Sequence, residues 1–387
     1  MKSSVLFKFK SFYFSFSSML AISQGFFLPY LISRNSSNAD IGLLMTISTL
    51  TGIIGQLGTG ILCDSIKKIK VIFILWTLLL SGMVLWLYGA EAPLSFIAAI
   101  VGVSFFQSAL IGLIDSWIIE SSSELENRFG EIRAFGSLGW GISTAVIGWL
   151  LTLFDFKMIP IWFIIFALIL LIVMRPIQDA QKQGDKHSQK KVSFKALIQN
   201  KRFQYLNGIY ICFYMLLGMV GMFTMILMEE EGATEFHMGL YLAIVAFSEI
   251  PCFILSKHLM KKIKRVHILT ISISIMLFRI LILLFINNLY ILILSGLLQA
   301  FTMPLFMVAS KKLTDDLSSP ETRTSFQMFS VAAYTGIGSG VTSILSGSLS
   351  EVIGMDQTLI LYLFLNLVTI VFSIMYAKAY YSTKVLN

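Results

Sequence analysis

Residues 115–140 read DSWIIESSSELENRFGEIRAFGSLGW, and the reading of this stretch decides the fold. An apolar run long enough to cross a bilayer lies on each side of its polar turn, SSSELENR. An acid, Asp115, and a base, Arg133, therefore sit at or inside two consecutive spans. An ionisable side chain in hydrocarbon costs several kcal/mol, so it usually faces a protein interior or a watery cavity. The small residues Gly136, Ser137, Gly139, Gly141 and Ser143 let the second helix pack closely on a neighbour. A plainer reading stands beside this one: Arg133 as the first cytoplasmic-side residue of its helix, reaching for the headgroups.

The composition agrees with a membrane protein. Of 387 residues 56% are hydrophobic and only 13% charged, with a mean hydropathy of +0.82. A soluble chain of this size could not solvate so much apolar surface. Met1–Lys10 is basic, but the following apolar run continues past Pro29 at spanning length, unlike a cleavable signal. Cys63, Cys212 and Cys252 are scattered without metal spacing, so packing roles are expected and neither metal nor cofactor is. No nucleophile with a base, histidine cluster or P-loop is visible, which disfavours an enzyme.

Apolar runs of about twenty residues occur near 11–32, 41–63, 71–89, 94–119, 132–153 and 158–174. They resume near 204–228, 238–256, 266–286, 289–310, 324–348 and 357–380. Runs of this length satisfy their own backbone in lipid only as helices, so an all-α protein of twelve spans is expected. Basic residues then set the orientation. With the N-terminus inside, 26 of the 29 Lys and Arg fall on the cytoplasmic side; Arg34 and Lys157 lie outside and Arg279 within a span. Both termini are expected in the cytoplasm and the protein in the plasma membrane. The net charge of +8 is thus a matter of topology, with no nucleic-acid partner implied. The acidic run Glu229–Glu231 falls outside and reads as a solvated loop.

The chain also repeats. Asp64-Ser-Ile-Lys67-Lys68-Ile-Lys70 after the second run is echoed by His258-Leu-Met-Lys261-Lys262-Ile-Lys264 after the eighth. Two six-helix bundles are expected, 1–175 and 204–387, joined by a polar, flexible cytoplasmic linker at 176–203. Parallel halves imply a central cavity used for alternating access.

These residues resemble the major facilitator superfamily, and within it the lactose permease-like sugar and nucleoside symporters. Gly60-Ile-Leu-Cys-Asp64 followed by Lys67-Lys68-Ile-Lys70 resembles the superfamily's loop between helices two and three, with Lys67 where that motif has its inner glycine. Phe129-Gly130-Glu-Ile-Arg133-Ala-Phe135-Gly136-Ser-Leu-Gly139-Trp140 is similar to the start of helix five in lactose permease-like proteins. There the arginine contacts sugar hydroxyls and the tryptophan stacks on the ring. By the same resemblance Asp115 is the acidic partner of the arginine, Glu249 beside Pro251 a sugar-binding acid, and Arg279 a buried arginine of the coupling network. One departure stands out: where those symporters carry a proton-handling histidine and glutamate in helix ten, this chain has Gln299 and Thr302. Coupling through that pair is excluded, so Glu249 or Asp115 would have to take the proton.

Elementary chemistry points the same way. Carboxylates such as Asp115 and Glu249 accept from pairs of hydroxyls, Arg133 donates in a fixed fork, and the Trp140 indole packs on C–H groups. A carboxylate desolvated beside an arginine can change protonation as a cavity opens and closes. The expectation is a monomeric secondary transporter that takes a sugar, oligosaccharide or nucleoside together with protons across the lipid bilayer. The alternative is a drug or metabolite exporter of the same fold, with an apolar, aromatic cavity.

Overall fold

A computed structural model describes residues 3–180, 200–318 and 322–384. Among them twelve helices are long and apolar enough to span a bilayer, and no strand occurs. They are α1 (Val5–Ser33), α2 (Asn38–Cys63), α3 (Ile69–Gly89), α4 (Pro93–Ser121), α5 (Phe129–Leu151) and α6 (Phe156–Val173). The second six are α7 (Lys201–Glu230), α8 (Glu235–Leu255), α9 (Arg265–Phe285), α10 (Leu289–Asp315), α11 (Phe326–Val352) and α12 (Met355–Tyr380). Large apolar side chains such as Ile61, Leu94 and Phe285 stand exposed along them, as lipid-facing surfaces require. The polar stretch read as a plain turn after α4 forms a short helix, Ser123–Asn127. The Ser122 hydroxyl oxygen starts it by accepting the Leu125 N–H at 3.2 Å, a normal N-cap.

Several spans are interrupted, each at an identifiable residue. Pro251 sits inside α8, where its missing N–H leaves the Phe247 carbonyl without the usual helical donor. In α10 a tight 3₁₀ segment, Gly296–Phe301, precedes Pro304 and contains Gln299. In α11 the residues Ala333–Val341 wind as a π-helix, a form that leaves backbone groups locally looser.

Contacts divide the chain into two compact units. The first is Met1–Ser36, Ile47–Gly184 and Gly232–Ile250; the second is Ser37–Thr46, Asp185–Glu231 and Pro251–Asn387. Within the first, α1 packs mainly on α5 and α6, and α3 on α4. The most buried of the twelve spans is α1. Gly239 of α8 joins this unit by seating against α5: an added Cβ would stand 2.4 Å from the Thr144 carbonyl oxygen and 2.9 Å from the Gly148 Cα. Only glycine permits that approach.

Within the second unit α9 packs on α12 and α10, and α7 on α11 and α12. Phe213 and Phe306 stack at 4.2 Å with their planes 3° apart, joining α7 to α10. The start of α2 belongs here. Its Ala39 N–H donates to Glu351 at 2.9 Å, Thr46 donates to the Gly340 carbonyl at 2.7 Å, and a Cβ on Gly42 would meet the Ser343 carbonyl oxygen at 2.2 Å.

Of the segment expected to be a flexible linker, residues 181–199 lie outside the described residues. The residues just before them are docked rather than free. Asp179 accepts the N–H groups of Ile69 and Lys70 at 3.1 and 3.0 Å, and Lys70 Nζ donates to the carbonyls of Arg175 and Ile177 at 2.9 and 2.7 Å. The carboxylate thereby satisfies donors at the start of α3 that the helix itself cannot, at the end where negative charge is favoured.

Candidate functional site

Asp115 lies six residues before the end of α4 and Arg133 four residues after the start of α5, so they enter the bundle from the same side. At 1.5 Å per residue these are depths of about 9 Å and 6 Å along their helices. Both are half-buried. The Tyr13 hydroxyl of α1 donates to Asp115 Oδ1 at 2.9 Å, and the charges of Asp115 and Arg133 both act on that phenol. Three helices thus bring an acid, a phenol and a guanidinium to one place.

Glycine makes this convergence possible. A Cβ on Gly136 would stand 2.5 Å from the Tyr13 ring and 2.8 Å from Ser17 Oγ; one on Gly139 would stand 2.4 Å from the Phe14 carbonyl oxygen. Ser18 Oγ donates to the Gly139 carbonyl at 3.2 Å, which fixes the register of α1 against α5. At the helix entrance Glu131 pairs with Lys10 and, at 2.9 Å, with the neighbouring Arg128. Those charges lie at the helix entrance, and Arg133 follows Glu131 by two residues.

A second polar step lies farther along the same seam. Ser23 donates to Gln107 at 3.0 Å, both buried, and Gln107 precedes Asp115 by eight residues on α4. Trp140 is half-buried beside Gly141, and there α8 approaches: a Cβ on Gly141 would stand 2.5 Å from the ring of Phe247. Phe247 precedes Glu249 by two residues, so the α8 turn carrying Glu249, also half-buried, is brought to the α5 turn carrying Trp140.

Arg279 and Gln299 meet in the second unit. Arg279 is buried in α9 and donates through Nη1 to Gln299 Oε1 at 2.5 Å. Thr302 donates to the Gln299 carbonyl at 3.1 Å and to its side-chain oxygen at 3.3 Å. A neutral amide oxygen therefore accepts from the buried guanidinium. Gln299 lies within the 3₁₀ segment Gly296–Phe301.

In the loop after α2, Lys67 adopts φ +58° and its N–H donates to the Cys63 carbonyl at 2.8 Å. A lysine thus adopts a left-handed backbone that favours glycine. Lys68 is the extended residue leading into α3. A Cβ on Gly60 would meet nothing within 4 Å, so no packing demand explains that glycine. The Asp64 side chain lies outside the described residues, as do the side chains at 256–261 that carry part of the second basic echo.

Tyr13, Ser23, Gln107 and Asp179 are absent from the sequence-based site. The signal for α1 was present in its serines: Ser15, Ser18 and Ser23 are all buried, a polar stripe in the most enclosed helix. Among the described residues no group of His, Cys, Asp or Glu is arranged to hold a metal.

Comparison with known proteins fits this architecture. The profile of the MFS_1 like family matches residues 6–377. An uncharacterized transporter of Bacillus subtilis, YwbF, is 25% identical over 309 residues, 79% of this chain and 76% of its own. A probable 3-phenylpropionic acid transporter of Escherichia coli is 24% identical over 65% of this chain and 67% of its own. Among solved structures, a mutant of the nucleoside transporter NupG superposes with a TM-score of 0.79 over 97% of this chain and 99% of that one, at 16% identity. With its family match over nearly the whole chain and its twelve spans, the protein belongs to the MFS_1 like family and is a multi-pass membrane transporter of the major facilitator superfamily.

Proposed function

We propose that this transporter moves a sugar, oligosaccharide or nucleoside by proton symport. In this reading 1–175 and 204–387 are the bodies that move about 176–203, in the plasma membrane, with both termini cytoplasmic. The observation that carries the reading is the Tyr13–Asp115 hydrogen bond beside Arg133, an acceptor and donor set inside the bundle rather than at its rim. Hydroxyl pairs fit such a set because a carboxylate accepts two O–H groups while a guanidinium donates two N–H groups. Trp140 supplies an aromatic face, and Glu249 a second acceptor. The fold's likeness to a nucleoside transporter supports this solute class.

Gln299 cannot carry charge, so the proton rides on Glu249 or Asp115. Arg279, held by Gln299, is the fixed positive charge of that circuit. Gly60, Asp64, Lys67 and Lys68 form the loop that switches with conformation.

A relative named for a carboxylic acid gives the competing solute. Uptake into proteoliposomes tests the reading, with a panel of sugars, nucleosides and 3-phenylpropionate, with and without an inward proton gradient. Gradient-stimulated uptake of a sugar or nucleoside supports it; uptake of the carboxylate alone, or outward pumping of apolar compounds, contradicts it. Glu249→Gln should keep counterflow exchange yet lose accumulation. Cysteine placed at Glu230 should react with an impermeant reagent from outside, and cysteine at Gly184 only after permeabilisation.

A further inference from the structure

Arg34 and Lys157 are the two basic residues that the charge pattern leaves on the far side, and they are 123 positions apart in sequence. In the first unit both line one cleft. Its volume is about 480 Å³, and its walls include Tyr30, Leu85, Tyr88 and Glu91. It lies where α1 and α3 end and α6 begins, at the end of the unit opposite the N-terminus.

The cleft is built rather than incidental. Arg34 Nη1 donates to the Tyr30 hydroxyl at 3.2 Å and to the Ala90 carbonyl at 3.3 Å. Its guanidinium carbon stands 4.4 Å from the centre of the Phe96 ring and 5.8 Å from that of Tyr30. Tyr30 in turn lies 4.3 Å from Tyr88 and 5.5 Å from Phe156, centre to centre. An exposed arginine held this way has lost much of its freedom, which lowers the entropy cost of gripping a ligand. Among the described residues no carboxylate pairs with either cation, although Glu91 is in the same wall. The Tyr88 hydroxyl, buried at one side, has no hydrogen-bond partner there.

We infer that this cleft binds a phosphate group, and that Arg34 and Lys157 hold it. Two cations on an aromatic floor suit a phosphodiester: arginine meets its oxygens in a fork, and lysine adds a point charge. The exposed Leu85 at the cleft wall offers apolar surface to whatever the phosphate is attached to. An anionic lipid headgroup and free phosphate share this chemistry, and the experiment separates them.

The purified protein is stripped of lipid in detergent, and retained phosphatidylglycerol is counted by native mass spectrometry. In parallel, radiolabelled inorganic phosphate is measured by equilibrium dialysis. Wild type should retain phosphatidylglycerol at least tenfold more tightly than the Arg34→Gln/Lys157→Gln variant, and tenfold more tightly than it retains phosphatidylcholine. Glu91→Gln removes the opposing charge and should tighten retention several-fold. All three side chains are exposed, so unchanged melting and elution are expected and serve as the folding control. Phosphate binding with the same dependence, without lipid retention, assigns the site to the free anion. Equal binding of both ligands by wild type and the double variant overturns the site, as does weaker binding in Glu91→Gln.

Discussion

The Tyr13 hydroxyl donates to the Asp115 carboxylate at 2.9 Å, joining the most buried helix of the chain to the acid of its neighbour. The bond restricts how Asp115 can turn and fixes one of its oxygens beside α1. It also needs α5 close by, since Gly136 packs directly on the Tyr13 ring. Site geometry and helix packing are one arrangement here.

That packing should be intolerant of a side chain at Gly139. A Cβ there meets the backbone oxygen of Phe14 at 2.4 Å, and a backbone atom inside a helix cannot swing aside. Gly139→Val should destabilise by about 1–3 kcal/mol, read as a lower midpoint of thermal unfolding in detergent. Gly130→Ala, where an added Cβ meets nothing within 4 Å, should melt with wild type.

At the buried arginine the prediction depends on chemistry rather than size. Gln299→Leu removes one acceptor of the buried Arg279 guanidinium. A hydrogen bond to a charged group contributes about 1.5–3 kcal/mol, so the melting midpoint should fall. Gln299→Glu keeps an acceptor and adds the opposite charge, and should fold. Comparable loss in both variants would contradict a role for the hydrogen bond.

Lys67 should gain from becoming glycine. Its φ of +58° is costly for a residue with a Cβ, by about 1–2 kcal/mol. Lys67→Gly should raise the melting midpoint, offset in part by glycine's greater freedom in the unfolded chain. Lys67→Val should lower it, because a branched Cβ suits that backbone least.

Most of the architecture was legible from apolar run length, because the bilayer imposes one length and one backbone form on every span. The expected runs coincide with α1–α12 to within several residues. Asp115, Arg133, Glu249 and Arg279 were legible because a charge in an apolar run is conspicuous. Tyr13 was not: a tyrosine among phenylalanines in FKFKSFYFSF carries no sign of which neighbour it meets. Gln299 was singled out by resemblance as standing where those symporters carry a proton-handling side chain, but its bond to Arg279 and the 3₁₀ winding of Gly296–Phe301 have no simple periodicity in the sequence. Asp179 was read as linker because local sequence is polar there; its partners, the N–H groups of Ile69 and Lys70, lie more than a hundred residues away.

The most direct test is the affinity of the solute identified by the uptake panel, titrated against wild type, Asp115→Asn, Arg133→Gln and Tyr13→Phe in detergent. Hydrogen bonds to charged groups contribute about 1.5–3 kcal/mol each, roughly tenfold to a hundredfold in affinity. The account predicts at least a hundredfold loss in Asp115→Asn and Arg133→Gln and about a tenfold loss in Tyr13→Phe, with all three variants folded. Affinities within threefold of wild type in both charge variants would contradict it, leaving Arg133 to the headgroups and the binding site elsewhere in the transporter.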